Sequence, residues 1–361
     1  MITISLCMIV KDEEQTLPRC LDSIRDIADE MIIVDTGSTD RTKELAHRYT
    51  KKVLDFQWID DFSAARNFSF SHATMEYIFW LDADDVLVPE EGEKLKQLKQ
   101  SLQPNADAVT MPYHCAFDEF GNATIRLRRH RLVKREKNFR WFSPVHEDLD
   151  VAGNVLHSDV VITHQQVHGA TNRNLAIYEN LIRQGRKLSS RDMLHYALEL
   201  HTVRRFEQAI DLYLAYVELA EAPAHYKFFA CDKLADCYHH LGDRDKELSF
   251  ALKSFAYDIP QPQLCCRIGA HFLQKNEFRK ALFWYKLAAD YQEQAVTWIN
   301  DDYPSRTWLP HAQLAYCYFV LEENELSYKH LAIAISYRPD DPHMLKNKEM
   351  LEKHGLIQAN K

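Results

Sequence analysis

Tyr77-Ile78-Phe79-Trp80-Leu81-Asp82-Ala83-Asp84-Asp85 decides how this chain is read. Five apolar residues in a row, closed by an acidic turn, describe a strand buried on both faces, the pattern of a parallel sheet covered by helices. Carboxylates at the exit of such a strand suit a hard divalent cation, which prefers oxygen ligands and reaches phosphates through one or two protein carboxylates. Aspartate is equally at home in a solvated turn or a helix cap, so the neighbouring sequence has to decide.

The neighbouring sequence repeats the unit. Met1 to Val10 is an apolar strand, followed by the polar turn Lys11-Asp12-Glu13-Glu14 and a helix that Thr16 can cap and whose first turn tolerates Pro18. Leu17, Leu21, Ile24 and Ala28 recur at helical spacing, and Met31-Ile32-Ile33-Val34 forms a second buried strand ending at Asp35. A helix from about Thr42 to Tyr49, a strand around Val53-Leu54 and a helix near Ser63 to His72 lead to the Asp82 strand. This alternation predicts an α/β domain with a mostly parallel sheet, whose ligands sit at the carboxyl ends of the strands, where Lys11, Asp35 and Asp82 fall.

Glycine usage narrows the kind of ligand site. Gly37 is the only glycine before Gly92, so neither a GxGxxG fingerprint nor a GxxxxGK[ST] phosphate loop is present. Without a glycine nest, phosphate neutralisation falls to a metal or to side chains.

The ordered blocks Ser5 to Glu14, Val34-Asp35-Thr36-Gly37-Ser38-Thr39-Asp40, Ala65-Arg66-Asn67 and Leu81-Asp82-Ala83-Asp84 resemble family 2 glycosyltransferases of the GT-A fold. The resemblance implies nucleotide-sugar contacts at Val10, Lys11, Glu13, Asp35, Arg66, Asp82 and Ala83, and a Mn²⁺ or Mg²⁺ ion at Asp84 and Asp82 of the Asp-x-Asp element. Thr36 stands where many members carry a second aspartate. Phe62, Arg66 and Phe70 share a helical face, so Arg66 reads either as a site residue or as a cation packed between rings.

Arg126, Arg128, Arg129, Arg131, Lys134, Arg135, Lys137 and Arg140 form a basic run in a chain of net charge −9. No nucleic-acid module accompanies it, which leaves a solvated strand or lid that offers positive charge to a diphosphate. Val145-His146-Glu147, followed by Asp148, then resembles in its Val-His-Glu a motif of tetratricopeptide-bearing family 2 enzymes, including the bacteriocin S-glycosyltransferases, as do His164 and Arg173-Asn174. Inverting transfer needs a base near the acceptor, and Glu147 or Asp148 supplies it in this reading. His146 or His164 would complete the metal site, or serve as a hydrogen-bonded structural group.

From about residue 190 the pattern becomes amphipathic helix with internal repetition. Small residues recur at Ala197, Ala235, Gly269 and Ala315, spaced 38, 34 and 46 apart, around the roughly 34-residue tetratricopeptide period with an insertion at Trp298 to Pro310. Glu247 and Ser254 occupy positions where this template wants small residues. Stacked helical hairpins bind peptides or proteins, or join two copies in a homodimer. The expected organisation is a GT-A domain at 1–175, a linker at 176–190, tetratricopeptide-like repeats at 191–345 and a charged tail at 346–361.

The chain has 361 residues, 46% of them hydrophobic, without an apolar run long enough to span a membrane and without a basic leader at its start. Eight cysteines lack CxxC or zinc spacing, as expected of reduced thiols in a cytoplasm. Cys231 and Cys237 near His239 and His240 are a second candidate metal set, with plain packing as the alternative. The combined expectation is an inverting, metal-dependent transfer of sugar from a UDP-sugar to a peptide or protein. Transfer to a lipid-linked or cell-wall glycan and a non-catalytic scaffold are the alternatives.

Overall fold

A computed structural model describes residues 1–165, 172–291 and 301–353. They form two compact units, the first drawn mainly from residues 1–187 and the second mainly from residues beyond.

The first unit opens with the expected alternation: β1 (Ile4–Val10), α1 (Leu17–Ile24), β2 (Glu30–Asp35), α2 (Thr42–Ala46), β3 (Val53–Asp55), α3 (Phe62–Ser71) and β4 (Tyr77–Trp80). It continues through β5 (Asp85–Val86), α4 (Pro89–Ser101), β6 (Ala108–Phe117), β7 (Ala123–Lys134), β8 (Trp141–Phe142), β9 (Asp148–Leu149), β10 (Val155–His157), β11 (Ile162–His164) and α5 (Arg173–Arg183). The sheet runs β3-β2-β1-β4-β7-β6-β11-β5. Its first four strands are parallel, whereas β7 is antiparallel to β4 and β11 to β5.

Burial on both sheet faces explains the unbroken apolar runs. Ile4, Leu6, Met8 and Val10 point into one core with Leu17, Leu21 and Phe79, while Cys7 joins Ile32, Val34, Ile78 and Trp80 in the other. Thr16 does stand at the N-cap of α1, but its side chain makes no capping bond. Its hydroxyl donates instead to the Glu13 carboxylate, which folds the first loop back on itself. The segment expected as a linker, 176–190, includes the second half of α5, whose Ile177, Tyr178 and Leu181 are buried.

The second unit consists of paired helices. They are α6 (Ser190–Thr202) with α7 (Phe206–Glu218), α8 (Ala224–His240) with α9 (Arg244–Lys253) and α10 (Pro262–Gln274) with α11 (Phe278–Ala289). After the short α12 (Tyr303–Arg306) come α13 (Trp308–Val320) with α14 (Asn324–Tyr337), and then α15 (Pro342–Lys353). Part of the expected insertion, residues 298–300, and part of the expected tail, residues 354–361, lie outside the described residues. Leu351 in α15 is buried, so the tail segment begins as packed helix.

Small residues sit where these helices cross: Ala197, Ala235 and Ala315 are buried, and a Cβ on Gly269 would lie 2.9 Å from the Tyr285 ring. The turn inside each pair repeats as well. Arg204, Gly242, Asn276 and Glu322 all adopt positive φ, and the next amide donates to a carbonyl five residues back, from Arg205 to Leu200, Asp243 to Tyr238, Glu277 to Phe272 and Glu323 to Tyr318. These are helix C-terminal reversals of the Schellman type. Glu247 fits despite its size because Arg244, at 2.7 Å, and Arg267, at 3.2 Å, neutralise its buried carboxylate.

Candidate active site

A cavity of about 370 Å³ opens at the carboxyl ends of β1 and β4. Val10 and Lys11 reach it from β1, Thr36 from the end of β2, and Asp82, Ala83 and Asp84 from the turn after β4. Glu13 also lines it, and the Glu13 amide donates to Thr42 Oγ1 at 2.7 Å, pinning the first loop to α2.

Asp35 lies beside Val10 in the β1–β2 register and is buried, not part of the cavity lining. Its Oδ1 accepts from the amides of Gly37 and Ser38 at 3.0 and 2.9 Å, while Oδ2 has no hydrogen-bond partner. A buried carboxylate oxygen without a donor is costly unless something supplies one.

Arg66 is the hub of the site. Asp61 caps α3 by accepting from Ala64, and the Phe62 amide donates to the Pro144 carbonyl at 2.9 Å, so the helix start and the loop before β9 are held together. From there Arg66 Nε reaches Glu147 Oε1 at 2.5 Å and Nη2 reaches Asp82 Oδ1 at 2.7 Å. Its guanidinium carbon lies 4.8 Å from the Trp80 ring and 4.9 Å from Trp141. Burial works against the charge on Arg66, but Asp82 and Glu147 outweigh it and push the pKa up. Burial likewise opposes ionisation of Asp82, and Arg66 and Arg131 overcome it, holding the pKa down to about 2. Asn67, adjacent in sequence, faces away and exchanges two 2.9 Å hydrogen bonds with the Trp141 backbone.

Asp84, Asp85 and His164 bring their ligand atoms within 4.8 Å of one another. The short antiparallel ladder of β5 and β11 pairs His164 with Asp85, and the Gln165 amide donates to the Asp84 carbonyl at 2.9 Å. His164 Nδ1 then lies 3.3 Å from Asp84 Oδ1 and 3.5 Å from Asp85 Oδ1. Burial lowers the His164 pKa, but the two carboxylates prevail and push it up to about 10. Such an oxygen-rich set with one imidazole fits Mn²⁺ or Mg²⁺.

Of the four metal candidates read from sequence, Asp84 and His164 belong to this cluster. Asp82 is engaged by Arg66, Asp85 stands in the cluster, and His146 lines the cavity without belonging to the cluster. His146 and Ser143 both adopt positive φ, bending the loop so that Glu147 and Asp148 also line the cavity. Tyr178 of α5 donates to the Val145 carbonyl at 3.3 Å, Arg173 covers the Phe62 ring at 4.6 Å, and Arg173 and Asn174 complete the wall.

The basic run is not a uniformly solvated lid. Arg131 is fully buried, 2.9 Å from Asp85 and stacked on Trp80 at 3.9 Å and Tyr113 at 4.4 Å. Tyr113 donates to Asp85 Oδ1 at 2.8 Å. Tyr113, the two tryptophans and the buried position of Arg131 are the parts of the candidate site that sequence reasoning missed. An arginine directly before the apolar pair Leu132-Val133, near the end of β7, was the one available signal.

Residues 5–153 match the family model described as "Glycosyl transferase family 2". A TPR repeat-containing protein of Synechococcus elongatus is 41% identical over 150 residues, 42% of this chain and 36% of that protein. The SPbeta prophage-derived glycosyltransferase SunS of Bacillus subtilis is 26% identical over 223 residues, 58% of this chain and 52% of the relative. The chain therefore spans about half, or less, of the length of these curated relatives. The solved structure of S. aureus TarS 1-349 aligns over 71% of this chain and 91% of that one, with 12% identity and a TM-score of 0.40.

Proposed function

We propose, from the premise that residues 5–153 form a glycosyl transferase family 2 domain, that the protein transfers a sugar from a nucleotide diphosphate sugar to a peptide or protein with inversion at the anomeric carbon. UDP is the preferred nucleotide in this reading. The observation that carries it is that Asp84 and His164 of the acidic cluster line the same cavity as the Glu147-Asp148 pair. A cation-binding wall suits the leaving diphosphate and a carboxylate wall suits the acceptor.

Asp84, Asp85 and His164 would hold Mn²⁺ or Mg²⁺, which supplies Lewis-acid stabilisation of the departing diphosphate. Lys11 and Asp35 would bind the nucleotide, the free Asp35 Oδ2 accepting from a base or ribose donor. Glu147 or Asp148 takes the proton of the acceptor nucleophile, whose lone pair forms the new bond at the anomeric carbon while the bond to the diphosphate oxygen breaks and its electron pair leaves with the nucleotide. Arg66 positions Glu147 by holding it through Nε while Nη2 is anchored on Asp82. The helical pairs of the second unit support a peptide or protein acceptor, since such repeats usually present a binding surface.

Incubation with a panel of nucleotide sugars and Mn²⁺, beside an Asp84→Ala control, tests this reading. Donor turnover that survives EDTA and the Asp84→Ala change would overturn the metal assignment. Label recovered in a lipid extract, not on protein, would replace the proposed acceptor.

A further inference from the structure

The second unit carries a cluster that sugar transfer does not use. Cys231 and Cys237 are not among its converging atoms; both are buried, and burial pushes their thiols up to about 11 and 12. The ligand-type atoms that converge are those of His201, Asp236 and His240, all within 4.8 Å of one another. His201 comes from α6, and Asp236 and His240 from one face of α8, four residues apart. His201 Nε2 lies 2.9 Å from Asp236 Oδ2, and His240 Nδ1 lies 3.5 Å from the same oxygen and 3.0 Å from the Asp236 carbonyl.

Two supports hold these groups in place. The Phe206 ring stacks on His240 with centroids 4.8 Å apart and meets His201 at 5.5 Å, fixing both imidazole planes. Arg267, from α10 of the following pair, takes the other carboxylate oxygen, with Nη2 2.6 Å from Asp236 Oδ1. One oxygen is therefore bound by an outer partner while the other faces two imidazoles, as in metal sites whose ligating carboxylate is oriented by a second layer of hydrogen bonds. The His240 side chain is 40% exposed, so the cluster opens to solvent.

We propose that His201, Asp236 and His240 bind a transition-type divalent cation of the Zn²⁺ class, with solvent or an exogenous group completing the coordination. Two imidazoles and one carboxylate select such a cation over Mg²⁺ or Ca²⁺, which prefer all-oxygen sets. Tetrahedral ligands about 2.0–2.1 Å from Zn²⁺ stand roughly 3.3 Å apart, close to the spacings seen here. The cation displaces the protons now shared between the imidazoles and Asp236, and it joins α6 of the first helical pair to α8 of the second.

Co²⁺ is the probe. The full chain, freed of metal and titrated with Co²⁺, should develop visible d–d absorption at one equivalent, unaffected by excess Mg²⁺. Asp84→Ala, which disables the acidic cluster of the first unit, and His239→Gln, a neighbouring imidazole outside the set, should retain that band. His240→Gln and His201→Gln should each weaken binding at least about 100-fold, and Arg267→Met about 10-fold to 100-fold. Zn²⁺ should raise the melting temperature of the wild type and not that of His240→Gln. His240 is surface-accessible, so this variant folds even if His201→Gln does not. A band that persists in His240→Gln, or one that vanishes in Asp84→Ala alone, overturns the proposal.

Discussion

Replacing Arg66 with methionine probes the hub of the candidate site. The side chain is buried against Trp80 and Trp141 and holds two carboxylates, at 2.7 Å and 2.5 Å, so the change removes the cation they share and leaves Asp82 with the more distant charge of Arg131. Breaking a buried ion pair by removing one partner costs about 3–5 kcal/mol. The Asp82 side chain is 35% exposed, so water takes up part of its charge and the lower figure, about 3 kcal/mol, applies. The loss depends on pH in a defined direction. Asp82 is depressed from 3.8 to about 2, so its contribution is complete above pH 3.8 and disappears as pH falls through 2. Urea denaturation of wild type and Arg66→Met at pH 7 should therefore differ by about 3 kcal/mol, and the gap should narrow between pH 3.8 and 2. Adding Asp82→Asn and Glu147→Gln to Arg66→Met should restore much of the stability, because no uncompensated charge remains. A loss under about 1 kcal/mol at pH 7, or a triple variant less stable than Arg66→Met, would refute the electrostatic account of this hub.

Further outcomes follow from other elements. Glu147→Gln should lower kcat about 10²-fold to 10⁴-fold with donor KM little changed; full activity there, with loss in Asp148→Asn, would move the base to Asp148. Gly269→Ala should cost about 1–3 kcal/mol, since the added methyl meets a buried ring at 2.9 Å, and a neutral thermal melt would contradict that close crossing. Glu322→Gly should raise stability by up to about 1 kcal/mol by relieving a left-handed backbone at φ 61°; no rise in denaturation midpoint would argue against it. Glu30, held by Lys52, Ser5 and Thr74 despite burial, is lowered from 4.5 to about 2. The stability lost in Glu30→Gln should thus be full above pH 4.5 and vanish as pH falls through 2, and a pH-independent difference would exclude this linkage.

The parallel half of the sheet was legible because β1, β2 and β4 are buried on both faces and advertise it as continuous apolar runs. Their acidic exits followed directly, which is how Asp35, Asp82 and Asp84 came to notice. What stayed hidden was non-local. Nothing near Asp85 announces that it will meet Arg131 and Tyr113 inside the molecule, and its role depends on strands far apart in the sequence. The partner of Asp82, Arg66, lies one helix earlier and is brought to it only by packing. The helical turns were hidden for another reason: only Gly242 among the four left-handed positions is a glycine. His201 was missed beside His240 because the two belong to different helical pairs.

The ladder of β5 and β11 is only a few residues long, yet its register sets His164 opposite Asp85. Side chains alternate along a strand, so a slip of one step would turn the imidazole to the opposite side and bring Thr163 forward. The proposed cation site would therefore have two settings, not a graded range. Single-residue insertions or deletions between β10 and β11 should extinguish it outright, while substitutions there should be absorbed.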